Sequence, residues 1–404
     1  MDQGSNYPLD GLKVIDLADE KGVFCSKLLA DLGADVIKVE KPGGDSTRNI
    51  APFQADDPNP EKSLYFAYNN TNKRSITLNL ETAEGRELFR KLVKSTDIIV
   101  ETYPPGYLAD LGLGYSDLCQ IRPELIITSL TAFGQTGPHK DFKSSDIVSY
   151  AMGGLMYQTG DPDMPPLLAG GLQTYYISSL YAVVATQIAL YARDIQGRGQ
   201  QVDVSIQECI ASMLEITCRY LYDGFITRRI GAQHHGALPT NNYPCKDGYW
   251  NLCVGPHSAV WIRLVAWMIR DGLDVDELAN QEYEDGENRR PILETKIHPI
   301  IREWCKLYTK AEIFYNGQKN DVSVAPVNTV KEVVEDPHLN AREFFEEVSH
   351  PVIGKAIYPG IPWRLPNRRK MRPAPLIGQH NQEIYRELGL INEDLIRLRE
   401  AGVI

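Results

Sequence analysis

The side chains able to do covalent or proton chemistry in this 404-residue chain are spaced in ways that exclude several familiar sites. Seven cysteines stand at positions 25, 119, 209, 218, 245, 253 and 305, with no CxxC pair among them. Such an odd, scattered set argues against a zinc centre or a disulfide framework and for a reducing cytoplasm. The eight histidines do not cluster either. His234 and His235 are neighbours, which a strand would point to opposite faces, so the pair reads as part of a loop. No metal site is expected. The first apolar run is not followed by GxGxxG, so the usual dinucleotide fingerprint is missing as well. After Pro165-Pro166 the chain runs through Leu167 to Thr174 into a helix that opens on two phenols, Tyr175 and Tyr176. A phenol, with an ordinary pKa of about 10, is almost wholly protonated at neutral pH.

The elements that must position these groups follow from periodicity. Leu12 to Leu17 is nearly continuously apolar, a short helix around Lys27 to Leu32 stops at Gly33, and a second run spans Val36 to Val39. This is a strand, helix, strand unit with glycine at the helix end, and runs apolar on both faces suit a parallel sheet covered on two sides. The pattern repeats: Ser75 to Leu80 as a strand, Thr82 as an N-cap, Leu88, Phe89 and Leu92 as a helical stripe, and Ile98 to Val100 as the next strand. Ser116 is placed as the cap of another short helix before the run Leu125 to Thr131. Three such units predict a doubly wound, Rossmann-like α/β domain. Further on, Ile177, Leu180, Tyr181, Val184, Ile188 and Tyr191 fall at intervals of three and four and predict one buried helical stripe. A helical region from Ile206 to Tyr222 leads into a Gly-, His- and Arg-rich linker, Asp223 to Asn242. Tyr243 to Val254 reads as a hairpin about Asp247-Gly248 with Trp250, Leu252 and Val254 alternating, followed by helices near Ser258 to Ile269 and Pro291 to Leu307.

Composition agrees with two cores. At 43% hydrophobic residues over 404 positions, more than one domain is expected. A net charge of -11 and a pI near 5.3 argue against a nucleic-acid surface, which needs clustered Lys and Arg. No apolar stretch reaches membrane-spanning length and Met1 to Pro8 lacks signal-peptide character, so a soluble, cytoplasmic protein is expected.

Seven phrases, in order along essentially the whole chain, resemble the class III CoA-transferases, the family of formyl-CoA transferase, carnitine CoA-transferase and the α-methylacyl-CoA racemases. They are LDGLKVIDL from Leu9, LADLGADVIKVEKPGGDSTR from Leu29, NKRSITLNL from Asn72, PPGYLADLGL from Pro104, TAFGQTGP from Thr131, GRGQQVDVS from Gly197 and APLIGQHNQEI from Ala374. The resemblance implies a large domain made from both chain ends (1–222 and 329–404), a smaller α+β domain between them (223–328), and two chains interlocked as a dimer. It also implies CoA thioesters as substrates with no further cofactor, and an Asp nucleophile whose carboxylate keeps every intermediate activated.

In ungapped alignment back from Gly197, Tyr175 stands at that nucleophile position, and a phenol cannot form the acyl anhydride. Asp161 and Asp163 lie a dozen or more residues upstream, and Asp194 is roughly 28 Å away along the helix at about 1.5 Å per residue. The racemase histidine would fall at Ser145, so that activity is not expected. By the same resemblance, Val23-Phe24, preceded by Asp19-Glu20, stands where the family usually has a Gly-Pro pair near the thioester, and Asp110 where formyl-CoA transferase has a CoA-contacting Arg. The residues that the resemblance assigns to a vestigial or weak CoA site are Lys41, Arg48, Asn72, Lys73, Arg74, Thr102 and Tyr103.

The pattern is similar to the nucleophile-free chain of two-subunit family members of anaerobic aromatic degradation. Those move CoA from a donor such as succinyl-CoA to a free acid such as benzylsuccinate. The partner expected is a homologous Asp-bearing subunit. The alternatives are a stand-alone acyl-CoA-binding or regulatory protein, and an enzyme of altered chemistry using Tyr175 as general acid.

Overall fold

In a computed structural model the described residues are 7–214, 217–234, 236–256, 259–366 and 369–404, without the side chains of 217 and 218. They divide into two compact units, Met1–Leu155 with Ala169–Glu215 and Asn340–Ile404, and Met156–Leu168 with Ile216–Leu339. His235 and Ser258 lie outside the described residues.

The larger unit is built on a six-stranded parallel sheet of β1 (Lys13–Leu17), β2 (Asp35–Glu40), β3 (Arg74–Thr77), β4 (Ile98–Glu101), β5 (Ile126–Thr131) and β6 (Gln201–Ser205) in the order β3-β2-β1-β4-β5-β6. The chain winds outward from β1 in one direction and then from β4 in the other. The carboxyl ends of β1 and β4 therefore flank the point where strand order reverses, which is where open α/β sheets place ligands. Alternation along the strands sorts the core. Ile15, Ile37, Ile76, Ile99 and Ile127 pack under the helices Ala83–Val93 and Tyr115–Ile121 and against the C-terminal residues Ile384, Tyr385 and Leu398. Val14, Val36, Ile98, Val100 and Ile126 face the helices Val23–Asp31 and Gln173–Gln196.

Both chain ends make this unit, as the resemblance implies. The Tyr385 hydroxyl donates to the Thr77 carbonyl at 2.6 Å, and the Asn79 N–H donates to the Val403 carbonyl at 2.8 Å. Thr82 caps its helix by accepting from the Gly85 N–H at 3.0 Å.

Several local expectations are corrected. Ser116 does not cap its helix. Gly114 stands at the cap, and the Asp117 carboxylate accepts the Gly114 N–H at 3.1 Å. The helical region from Ile206 is broken after Ala211 and resumes at Thr217–Asp223. The region from Pro291 is a succession of tight and loose turns before the regular helix His298–Cys305.

The largest correction concerns the long helix Gln173–Gln196. Its buried face is the small-residue side, with Ser178, Ser179, Ala182, Thr186 and Ala189. Leu180, Tyr181, Val184, Ile188, Tyr191 and Ile195 are 40–71% exposed. Small side chains let the helix approach the sheet closely, and the Thr186 hydroxyl bonds the Thr128 hydroxyl at 2.7 Å. Crowding on the sheet side puts the bulky stripe outward.

The smaller unit carries the expected hairpin, β7 (Thr240–Cys245) with β8 (Gly248–Cys253), joined by β9 (Val324–Pro326) into an antiparallel sheet. Trp250, Leu252 and Val254 are fully buried with Trp261 and Trp304. Among the described residues, no helix is long and apolar enough to cross a membrane.

Candidate functional site

The long helix delivers Tyr175 to the large unit two residues inside its start. Asp146, itself at the start of the helix Asp146–Met152, holds that end in place. Its carboxylate accepts the Thr174 N–H at 3.0 Å and the Thr174 hydroxyl at 2.5 Å. This satisfies a donor that helix geometry leaves open. Nothing local in the sequence marks the contact, because the partners are 28 residues apart.

Tyr175 is 6% exposed. Burial pushes its hydroxyl well above the ordinary range, and the carboxylates of Glu20, Asp146 and Asp19 add to the shift. A backbone N–H of Asp146 opposes it. The phenol therefore stays protonated, and the arrangement makes it neither a base nor an anionic nucleophile.

The turn after β1 supplies the other wall. The Asp19 N–H donates to Thr102 Oγ1 at 2.9 Å, and the Thr102 hydroxyl donates back to Asp19 Oδ1 at 2.8 Å, tying the carboxyl ends of β1 and β4 together. Lys21 pairs with the Asp19 carboxylate. Gly22 is needed here, since a Cβ at that position would lie 2.8 Å from the Thr102 methyl. Glu20 is half-buried. Burial raises its carboxyl pKa, with Asp19 adding to the effect and its own backbone N–H and the Lys21 charge opposing it. Aromatic side chains fill the neighbourhood. Phe24 packs edge-on against Tyr176 with ring centres 4.8 Å apart, and the Tyr65 hydroxyl donates to the Glu20 carbonyl at 3.4 Å. Val23 is fully buried.

The residues assigned to a CoA site separate into two groups. Lys41 is exposed just past β2, and Thr102 and Tyr103 follow β4, with Tyr103 stacked on Tyr107 at 4.7 Å. These three stand at the strand ends. The other four are engaged inside the chain. The Arg48 guanidinium is buried, donating to Glu40 at 2.6 and 2.8 Å, to Glu61 at 2.7 Å and to the Pro375 carbonyl at 3.0 Å, and it covers the Phe66 ring. Lys73 donates to Asp16 at 2.8 Å, to Ser26 and Asn70 at 2.9 Å and to the Val23 carbonyl at 3.1 Å. Burial lowers its pKa to about 8. Asn72 links Asp31 at 2.7 Å to the Arg372 N–H at 2.8 Å. Arg74 pairs with Asp35 at 2.5 Å and Glu383 at 2.7 Å. Ser145 is exposed at the cap position of its helix and makes no side-chain cap bond. Asp110 is exposed in the short helix Tyr107–Asp110. Among the described residues no three His, Cys, Asp or Glu side chains converge to hold a metal ion.

The pattern of CoA-transferase family III matches residues 9–381. Over 404 aligned residues the chain is 33% identical to the succinyl-CoA:(R)-benzylsuccinate CoA-transferase subunit BbsE of Thauera aromatica, with 97% of each chain covered. It is 34% identical over 417 residues to the formyl-CoA:oxalate CoA-transferase of Streptomyces avermitilis, covering 98% of this chain and 99% of that one. The crystal structure of a CAIB/BAIF family protein from Brucella suis superposes with a TM-score of 0.83 at 32% identity, covering 95% of this chain and 100% of the other.

Proposed function

This chain belongs to CoA-transferase family III, and from that premise we propose that it is the subunit without a nucleophile in a heteromeric CoA-transferase. The enzyme moves CoA from an acyl-CoA such as succinyl-CoA to a free carboxylic acid such as benzylsuccinate. The observation that carries the reading is Tyr175, a buried and firmly protonated phenol where the family resemblance calls for an attacking carboxylate. A homologous partner supplies the Asp. That carboxylate attacks the donor thioester to give a mixed anhydride and CoA thiolate, and the thiolate returns to leave an aspartyl thioester and the free acid. The acceptor carboxylate then attacks the aspartyl thioester to give a second mixed anhydride and CoA thiolate, and the thiolate attacks the acceptor's acyl carbon to release the new CoA thioester and the free Asp carboxylate.

Two further features support the reading. Phe24, Tyr176, Tyr65 and Val23 crowd the space beside Tyr175, and Glu20 and Asp19 oppose a substrate that carries a free carboxylate. The exposed stripe on the long helix gives a homologous chain an apolar face to cover, and interlocking of the two chains would bury it. Lys41, Thr102 and Tyr103 are what remains for a CoA nucleotide. Binding to this chain is accordingly weak, because Arg48, Asn72 and Lys73 would have to leave buried partners to reach a phosphate, and Arg74 would have to leave its ion pairs with Asp35 and Glu383.

A second reading rests on Glu20, a half-buried carboxyl beside Tyr175 whose charge acts on the Tyr175 hydroxyl. In it this chain carries its own nucleophile, displaced from the helix to the β1 turn. Turnover separates the two. The chain purified alone should not exchange CoA between succinyl-CoA and benzylsuccinate, and co-expression with an Asp-bearing homologue should give an active complex. Robust turnover by the single chain would overturn the first reading and favour Glu20.

A further inference from the structure

On the face of the sheet away from Tyr175, the loop and helices after β4 roof a half-open cavity of about 310 Å³. Its floor is Ile127 and Ser129 of β5, its apolar wall includes Leu113, and its polar lining includes Glu101, Gln135, Gln201, Ser116 and Tyr115. Glu101 is buried at the end of β4. Its carboxylate accepts the Tyr103 N–H at 2.8 Å and the Ser129 hydroxyl, and Ser129 Oγ in turn accepts from Gln201 Nε2 at 3.3 Å. Gln135 is fixed at its base, because its backbone N–H donates to the Asp203 carboxylate at 3.0 Å. Its side-chain Nε2 is buried and has no hydrogen-bond partner.

A buried amide donor without an acceptor is uncommon in a settled structure, and in a polar cavity it asks for one from outside the chain. The same cavity presents a carboxylate, which disfavours an anion. A bare cation would satisfy Glu101 and leave the Gln135 donors empty.

We propose that this cavity is a binding site for a neutral carboxamide-type ligand, whose carbonyl accepts from Gln135 Nε2 and whose N–H donates to Glu101. Leu113 and Ile127 pack against the apolar body of the ligand, a division of labour common in small-molecule pockets. Burial raises the Glu101 carboxyl to about 7, so the acceptor is fully formed only above neutrality.

The test uses the full chain with ¹⁵N-labelled glutamine side chains, titrated with benzamide and with benzoate at pH 8. The Gln135 and Gln201 side-chain amide signals should move and saturate with benzamide, and benzoate should bind at least tenfold more weakly. Gln135→Leu, which removes the unpaired donors, should weaken benzamide about tenfold while leaving the circular dichroism spectrum and thermal midpoint unchanged. Equal affinity for benzamide and benzoate, amide signals that stay still, or a folded Gln135→Leu that binds as before would each overturn the proposal. If that variant fails to fold, the wild-type titrations alone decide.

Discussion

Tyr175 and Glu101 are both acids buried by the fold, and burial pushes both pKa values upward with opposite consequences. For the phenol the shift carries it further from any physiological pH and removes it from chemistry. For Glu101 the shift from 4.5 to about 7 brings it into the physiological range. Its protonated form is favoured in the folded chain. The stability this contributes is therefore whole below about pH 4.5 and is lost as pH rises through about 7. Between pH 5 and pH 8 the wild type should lose on the order of 3 kcal/mol more than Glu101→Gln, read from denaturant unfolding at each pH. Parallel pH profiles for the two proteins would contradict the assignment. At this scale the sequence was partly legible. The helix that carries Tyr175 near its start and runs without interruption to Gly197 could be read ahead. The engagement of Arg48, Lys73 and Arg74 could not, since their carboxylate partners Glu40, Asp16 and Asp35 come from neighbouring strands or their ends and give no local signal. Asp146 and Gln135 escaped for the same reason.

The strands and the order of elements in the large unit follow closely from apolar runs and turn residues. The orientation of the longest helix does not. Periodicity identifies two stripes on Gln173–Gln196, one bulky and apolar, one small and polar, and ordinary burial logic chooses the bulky one. Packing against a sheet reverses the choice, because Ser178, Ala182 and Thr186 fit where Leu180, Val184 and Ile188 would hold the helix away. Two substitutions separate the faces. Val184→Lys with Ile188→Lys should leave the isolated chain's thermal midpoint within about 2 °C, as exposed positions do, and should abolish co-purification with a homologous partner. Ala182→Leu should destabilise the isolated chain by about 1–3 kcal/mol through overpacking. A double-lysine chain that still assembles would show that the stripe is not the partner's surface.

For the whole molecule, composition indicated two cores, and contacts divide the chain at 215/216 and 339/340 with Met156–Leu168 joining the smaller unit. Composition and the family resemblance place the divisions at 222/223 and 328/329. Shifts of this size are natural where a helix is interrupted, as after Ala211, because composition changes less sharply than packing. In the proposed heteromer the acyl and CoA intermediates form on the partner. The decisive measurement is to incubate the heteromer with succinyl-CoA, intercept the enzyme thioester with hydroxylamine, and locate the modified carboxylate by mass spectrometry of the separated chains. Modification confined to the partner, for the wild type and for a Tyr175→Asp complex alike, is the predicted result. A label on this chain, at Glu20 or at the carboxylate introduced at position 175, would contradict the account.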